Sequence, residues 1–354
     1  MTRRFQTREA RSDTGAADRR AVVFARRDGN GEVRSGNGER EQAVVPRAEF
    51  QSYYGRPVLK PPVWEWKIPA YLFTGGLSAG AAVLAAGADL TGLPALRRAG
   101  RVGALGALAA SMYLLVADLG RPERFLHMLR VAKPTSPMSM GTWLLVAYGP
   151  GAGLAGVAEL LPGRLPRRVA RPAGLSAAVI APGVASYTAV LLSHTAVPAW
   201  REAHRQLPFV FTGSAAASGG GFGMVFAPVA QAAAARRLGV LGAAAEVVAS
   251  RLVERRLGLV GEAYTTGRAH RLRTWAERLT IAGAVGALTV ARRGRVGAVA
   301  SGVALLAGSV LQRFGVFEAG VESTRDPKYT VVPQRERLSR ASGKSSDTVF
   351  KLAF

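Results

Sequence analysis

Long apolar stretches without a single charged side chain alternate with short charged segments along most of the chain. The four longest stretches cover residues 68–88, 134–158, 172–193 and 206–235, which are 21, 25, 22 and 30 residues long. A helix needs about 20 apolar residues to cross the hydrocarbon layer of a membrane. Soluble helices rarely stay free of charge over this length, so the pattern predicts membrane-spanning helices.

Four weaker stretches extend the prediction to eight spans. Residues 102–117 and 296–312 are free of charge over 16 and 17 residues, at the low end of the spanning range. The stretches 239–260, which contains Glu246, and 275–291 have charged residues within them or close by, so either could instead lie at the interface or pack inside the bundle. The predicted spans are 68–90, 102–119, 138–161, 174–193, 208–230, 239–260, 275–291 and 296–314.

These spans predict an all-α fold, a polytopic transmembrane helical bundle of about eight helices over residues 63–316. Residues 1–62 are rich in Arg, Asp, Glu and Gly and too poor in large apolar residues to form a core, so we expect a polar, largely disordered tail. Within it, the aromatic segment 50–57 is a candidate for docking on a partner or for interfacial anchoring. Residues 317–354 form a C-terminal tail.

The charge of the protein is concentrated in its tails and connectors. The net charge is +24, with 47 lysines and arginines, but these residues do not form the continuous face that nucleic acid requires. Contact with lipid headgroups explains their distribution better. With eight spans, the connectors on the N-terminal side carry 21 lysines and arginines against 12 on the other side, which favours cytoplasmic termini in the plasma membrane.

Local motifs predict details of the connectors and of helix packing. Residues 122–133 predict a short interfacial helix with Pro122 in its first position. Ser136 followed by Pro137 predicts the N-cap and first turn of the third span. Three pairs of glycines four residues apart favour close packing of helices in lipid. They are Gly76 with Gly80, Gly149 with Gly153, and Gly219 with Gly223.

The residues that could carry chemistry lie at one end of the predicted spans. Trp66 and Tyr71 open the first span, and Asp118 closes the second. His194 closes the fourth span, two helical turns after Tyr187 and on the same face. A purely structural role would explain each of them. Trp66 and Tyr71 could belong to an aromatic belt, Asp118 could be an interfacial carboxylate, and His194 could be a hydrogen-bonded histidine at the interface. The functional alternative is a set of hydrogen-bonding and proton-exchanging groups beside a bound quinone.

Cysteine and histidine usage limits the cofactors. The protein has no cysteine, which excludes disulfides, thiolate catalysis and an iron–sulfur cluster ligated by this chain. Haem held by two facing histidines is not expected, because His127, His204 and His270 fall in predicted loops.

Three motifs in order resemble the NrfD/PsrC family, the quinone-reactive membrane subunits of polysulfide reductase-like molybdoenzyme complexes. They are WEWKIPAYLFTGGLSAG (64–80), DLGRP (118–122) followed by Arg-Phe-Leu, and KPTSPMSMGTW (133–143). The segments SYYGRP (52–57), RFGVFEAG (313–320) and DPKY (326–329) are similar to actinobacterial members associated with formate dehydrogenases.

The resemblance implies an eight-helix anchor, without a metal or redox centre of its own, that exchanges two electrons and two protons with menaquinone. Electrons would pass through a four-cluster ferredoxin-like iron–sulfur subunit to or from a molybdopterin catalytic subunit. The quinone pocket would be lined by the start of the first span and by the ends of the second and fourth. The residues carried over are Trp66, Tyr71, Asp118, Arg121, Tyr187 and His194.

Two other functions stay open at this point. A secondary transporter would show internal repeats and polar groups at mid-depth, whereas we find no repeat and the candidate groups collect at one membrane edge. A structural anchor without quinone chemistry would fail to bind menaquinone.

Overall fold

The computed structural model describes residues 58–341, without the side chains of residues 164–167 and 341. The tail predicted for residues 1–57, with its candidate docking segment, therefore lies outside the described residues. Within the described range the secondary structure is helical and contains no strand. The α-helices are α1 (Lys67–Leu90), α2 (Pro94–Asp118), α3 (Arg124–Met128), α4 (Pro137–Leu160), α5 (Arg164–Ser193), α6 (Pro198–Glu202), α7 (Leu207–Phe226), α8 (Ala233–Arg256), α9 (Glu262–Thr265), α10 (Gly267–Leu288), α11 (Arg295–Arg325) and α12 (Lys328–Ala341).

Six helices, namely α1, α2, α4, α5, α7 and α11, are long and apolar enough to cross a membrane. This finding confirms the prediction of an integral membrane protein with several spans. The remaining long helices, α8 with 24 residues and α10 with 22, have the length but carry more charge.

The helices α8 and α10 expose apolar side chains over part of their outer faces and bury a few ionisable ones. The outward face of α8 carries exposed Leu241 and Val248, and that of α10 carries exposed Val285 and Leu288. On the inward face of α8, the Glu246 side chain is buried. This distribution suits helices surrounded by lipid, where ionisable groups face the bundle interior, and it favours the prediction that both helices cross.

The long helices form four hairpins, each joined by a short loop. The pairs that pack most closely are α1 with α2, α4 with α5, α7 with α8, and α10 with α11, and short loops make the partners antiparallel. The end of the bundle where α1 begins also holds α3, α6, α9 and α12, and we call it the connector edge. The other end, with the loops 91–93 and 161–163, is the short-loop edge. The helix α1 is central, because it packs against α2, α5, α7 and α11.

Two of the three glycine pairs lie at helix contacts. A side chain at Gly80 would overlap the backbone of Ala215, and one at Gly219 would overlap the backbone of Gly80, so α1 and α7 cross at a distance that only glycine permits. The prediction is wrong for the pair at 149 and 153, because a β-carbon at either position would have no neighbour within 4 Å.

The helices α2 and α5 begin eight and ten residues earlier than predicted, because both continue through arginines at which the prediction stopped. Carboxylates from other helices bind several of these arginines. Arg101 of α2 donates to Asp89 of α1 at 3.1 Å and to Glu159 of α4 at 2.9 Å. Arg97 binds Glu159 at 2.9 Å, and Arg171 of α5 lies 3.7 Å from Asp89. One ionic network therefore ties the first four long helices together at the short-loop edge.

The last predicted span is also longer than expected. The helix α11 continues to Arg325 instead of ending near residue 314, because Arg313, whose charge ended the prediction, is itself buried in the bundle. The helix α12 follows in the predicted C-terminal tail.

The predicted connectors differ in detail from the structure. The interfacial helix predicted over 122–133 is reduced to the five residues of α3. The predicted cap of the third span is confirmed, since the Ser139 N–H donates to the Ser136 hydroxyl at 3.5 Å. His270 lies in the first turn of α10, so its assignment to a loop was wrong.

Candidate functional site

Two tyrosines meet between α1 and α5, one to two turns from the connector edge. The hydroxyl groups of Tyr71 and Tyr187 are in hydrogen-bonding contact with each other. Both side chains are buried, with exposed fractions of 3% and 9%. Gly141 of α4 makes room for the Tyr187 ring, since a β-carbon there would overlap it. Two adjacent hydroxyls in apolar surroundings can offer a hydrogen bond to a third polar atom.

Asp118 ends α2 at the same edge, near the start of α1. Its carboxylate is partly exposed, and the charges of Lys67 and Glu65 act on it. Leu114 and Leu115, in the preceding turn, pack against the apolar cluster that contains Tyr71 and Tyr187. The edge thus combines a buried pair of hydroxyls with a carboxylate that can exchange protons with water.

The other three predicted residues stand on the surface of the same edge. Trp66 is 61% exposed, and Arg121 and His194 are exposed. Among residues 58–341, none of the three side chains makes a hydrogen bond, ion pair or ring contact with another. The structure therefore brings Tyr71 and Tyr187 into contact, with Asp118, Trp66, Arg121 and His194 at the same edge of the bundle.

A second aromatic group anchors the polypeptide just before α1. The Trp64 ring stacks on Trp200 of α6, with centroids 5.8 Å apart and planes 20° apart. Trp200 is fully buried and donates its indole N–H to the carbonyl of Val316 in α11 at 2.8 Å. Sequence reasoning missed Trp200 as an anchor, although the proline two residues before it signals the start of a helix.

The connectors pack on each other as a layer. The buried Tyr264 of α9 donates its hydroxyl to the carbonyl of Ala199 at 2.9 Å, and burial raises the pKa of Tyr264, which keeps this donor protonated. Lys328 at the start of α12 binds Glu262 of α9 at 2.9 Å, and this hydrogen bond raises the pKa of Lys328. The layer is therefore held by specific polar contacts.

The bundle interior contains a charged pair that sequence reasoning treated only as an obstacle to a span. Glu246 of α8 and Arg313 of α11 are 2% and 1% exposed. Arg313 donates to the carbonyl of Phe211 at 2.8 Å and lies over the Phe211 ring, 3.7 Å from its centroid. Within the described part of the protein, Glu246 Oε2 and two guanidinium nitrogens of Arg313 have no hydrogen-bond partner.

Arg313 also reaches the first half of the bundle. Its Nη2 lies 3.0 Å from the place that a β-carbon on Gly76 would occupy, five residues along α1 from Tyr71. A buried cation of the second half of the bundle therefore approaches α1, the helix that carries Tyr71. Between residues 58 and 341, no three His, Asp or Glu side chains are grouped as metal ligands.

The comparisons with known proteins cover the half of the sequence that holds the tyrosine pair. The family described as polysulphide reductase, NrfD, matches residues 57–241. A polysulfide reductase subunit of Wolinella succinogenes, its C subunit, is 32% identical over 156 residues, which are 37% of this chain and 48% of that protein. The match thus spans about half the length of this curated relative. All six predicted site residues fall inside the family match, whereas Glu246 and Arg313 lie beyond it. Because the family match spans more than half of its residues, the chain belongs to the polysulphide reductase NrfD family.

Proposed function

We propose that this protein is the quinone-reactive membrane anchor subunit of an oxidoreductase complex, and that it exchanges electrons and protons with menaquinone. The buried hydroxyl pair of Tyr71 and Tyr187 carries the proposal. It lies between two spans, inside the region that the family shares, and at the same edge as a carboxylate. The relative in Wolinella succinogenes is by name a part of polysulfide reductase, which supports membership of a multi-subunit redox enzyme.

The tyrosine pair suits recognition of a quinone carbonyl. Of two hydroxyls in mutual contact, one donates to the other, so the second keeps a free O–H that can be donated to a carbonyl oxygen. Low polarity around the pair strengthens this bond. Reduction of a quinone consumes two protons, and Asp118, partly exposed beside Lys67, is the carboxylate placed to relay protons from water.

An apolar groove lies near mid-membrane, deeper in the bundle than the tyrosine pair. It has a volume of about 150 Å³ and is lined by α1, α5 and α7, including Gly80 and Ala185, and by Leu238 of α8. We assign this groove to the isoprenoid tail of the quinone, and we assign Trp66, Arg121 and His194 to the outer rim of the site.

The partners follow from the chemistry that the protein lacks. Without cysteine it cannot ligate an iron–sulfur cluster, so electrons have to come from another subunit. We propose a four-cluster ferredoxin-like subunit docked on the connector edge, closest to the tyrosine pair, and a molybdopterin subunit beyond it. The formate dehydrogenase-associated type in the plasma membrane remains the favoured version.

Binding of a fluorescent quinone analogue tests the site. In the purified protein we expect a hydroxyquinoline N-oxide to bind with quenching of its fluorescence. Tyr71→Phe and Tyr187→Phe should each weaken binding fivefold to tenfold, since a hydrogen bond contributes about 1 kcal/mol. Tyr148→Phe is the matched control, because this equally buried hydroxyl is bonded to Ser78 at 2.7 Å, two helical turns deeper along α1 than Tyr71.

The results separate the alternatives. Absence of binding to the wild-type protein would support a structural anchor, and equal weakening by all three substitutions would remove the tyrosine pair from the site. In the purified complex, Asp118→Asn and His194→Ala should each lower quinone-coupled turnover. Unchanged turnover would exclude the residue concerned.

A further inference from the structure

A groove with a cationic rim and an apolar floor lies between α8 and α10 at the short-loop edge. Its volume is about 520 Å³. Arg236, Arg237 and Arg292 form the rim, and the floor includes Val240, Leu241 and Leu288. Leu241 and Leu288 are 69% and 51% exposed, so the floor opens outward from the bundle. No part of the function proposed above uses this groove.

The three arginines of the groove lack a carboxylate partner among the described residues. The charges of Arg292 and Arg237 repel the Arg236 guanidinium. The one side-chain hydrogen bond of Arg236 in this range goes to the carbonyl of Val229, at 3.4 Å. Three close cations without an anion are unfavourable, because like charges at short range destabilise each other. The groove therefore favours a bound anion.

A second cavity at the same edge differs from this groove because it contains carboxylates. It is also rich in arginine, but Asp89 and Glu159 lie within it and bind Arg97 and Arg101. The charges of Arg97 and Arg101 are thus neutralised by the protein itself. The rim of the α8–α10 groove depends on an anion from outside.

The depth of the groove indicates where that anion comes from. The rim lies level with the ends of two spans, since α7 ends at Phe226 and α11 begins at Arg295. Arginines at this level face lipid headgroups. Below the rim, the exposed apolar residues Val248 and Val285 continue along the outer faces of α8 and α10. A small free anion would gain nothing from this apolar floor, whereas the acyl tail of a lipid would cover it.

We propose that the groove is a binding site for one anionic phospholipid. Its phosphate lies between Arg236, Arg237 and Arg292, and one of its acyl tails covers Leu241 and Leu288. The lipid joins the hairpin α7–α8 to the hairpin α10–α11 at an edge where, among the described residues, Arg295 bonds to carbonyls at the end of α7 but no salt bridge links the two hairpins.

Native mass spectrometry of the full-length protein, purified in mixed micelles, tests this site. The micelles contain phosphatidylglycerol and phosphatidylcholine with identical acyl tails. We expect one phosphatidylglycerol to be retained per protein molecule, at least tenfold more than phosphatidylcholine. The double variant Arg237→Gln/Arg292→Gln should lose roughly tenfold or more of this retention, because each arginine near the surface contributes substantially to binding of anionic lipid.

The control removes the same charge from the same edge. Arg98 and Arg168 are exposed there and outside the groove, so Arg98→Gln/Arg168→Gln should leave retention unchanged. Equal losses in both double variants, or no preference for phosphatidylglycerol, would overturn the proposal. Glycerol 3-phosphate and inorganic phosphate, which lack acyl tails, should not compete at millimolar concentration. Competition by either would overturn the lipid assignment, because it would show an anion site that needs no lipid.

Discussion

At the scale of the residue, the position of the Tyr187 hydroxyl depends on a glycine in the neighbouring helix α4. Gly141 in the first turns of α4 lies directly against the Tyr187 ring. The ring is held on its other side by α1, through the contact of its hydroxyl with Tyr71. Packing at this density transmits small changes in volume to the neighbouring groups, so the site is sensitive to a single methyl group.

We therefore expect Gly141→Ala to displace the Tyr187 ring. Overpacking of this kind costs about 1–3 kcal/mol, and the displaced hydroxyl should also lower the affinity for the quinone analogue. Thermal unfolding in detergent and fluorescence quenching measure the two effects. Gly149→Ala on the same helix is the control, since a β-carbon there has no neighbour within 4 Å. Equal effects of the two alanines would show that helix propensity, and not the ring contact, is responsible.

The sequence could nominate these residues but could not place their side chains. The positions of Tyr71 and Tyr187 near the ends of two spans follow from counting residues. Their contact depends on how α1 and α5 are rotated, which is decided by distant packing. For the same reason, nothing local distinguishes Trp66, which is exposed, from the buried Tyr71 only five residues later.

At the scale of the element, charges inside the bundle join helices that are far apart in the sequence. Glu246 brings a carboxylate from α8, and Arg313 brings a guanidinium from α11 that also contacts the Phe211 carbonyl of α7. Removing one member of such a pair leaves a charge without compensation in surroundings of low polarity. Sequence reasoning marked Glu246 as evidence against a span, because its partner lies 67 residues away. The early starts of α2 and α5 were missed because the carboxylates that bind their arginines belong to other helices.

Arg313→Leu should destabilise the bundle by about 3–5 kcal/mol, because Glu246 then stays buried without its cation. The double variant Arg313→Leu/Glu246→Gln should recover much of this loss, and thermal unfolding in detergent measures both. The exposed pair of Arg251 and Glu277, 2.6 Å apart, is the comparison, where Arg251→Leu should cost at most about 1 kcal/mol. A double variant as unstable as Arg313→Leu alone would mean that the two charges do not compensate each other.

At the scale of the whole molecule, the predicted topology of eight spans would place every longer connector on one side of the membrane. Charge-free stretches were sufficient to find six spans. For α8 and α10, hydropathy alone could not decide, because charged residues, most of them exposed near the ends of the helices that lie at the connector edge, lower the average. The structure packs α9 against α6 at the connector edge, so α8 and α10 run the length of the bundle.

The absence of cysteine makes this topology directly testable. Single cysteines are introduced at exposed positions, with His204→Cys marking the connector edge and Arg293→Cys the short-loop edge. In intact cells, we expect Thr266→Cys, next to α9, to react with a membrane-impermeant maleimide in the same way as His204→Cys. If Thr266→Cys instead reacts in the same way as Arg293→Cys, α8 and α10 do not cross the membrane and the protein has six spans.

The approach of Arg313 to Gly76 bears on how much of this protein could be transplanted into another complex. The segment common to the family stops at residue 241, ahead of α10 and α11. A fragment ending there would leave the inner surface of α1 near the tyrosine pair facing hydrocarbon instead of a guanidinium. The smallest portable unit with an intact pocket therefore extends at least through the first two-thirds of α11.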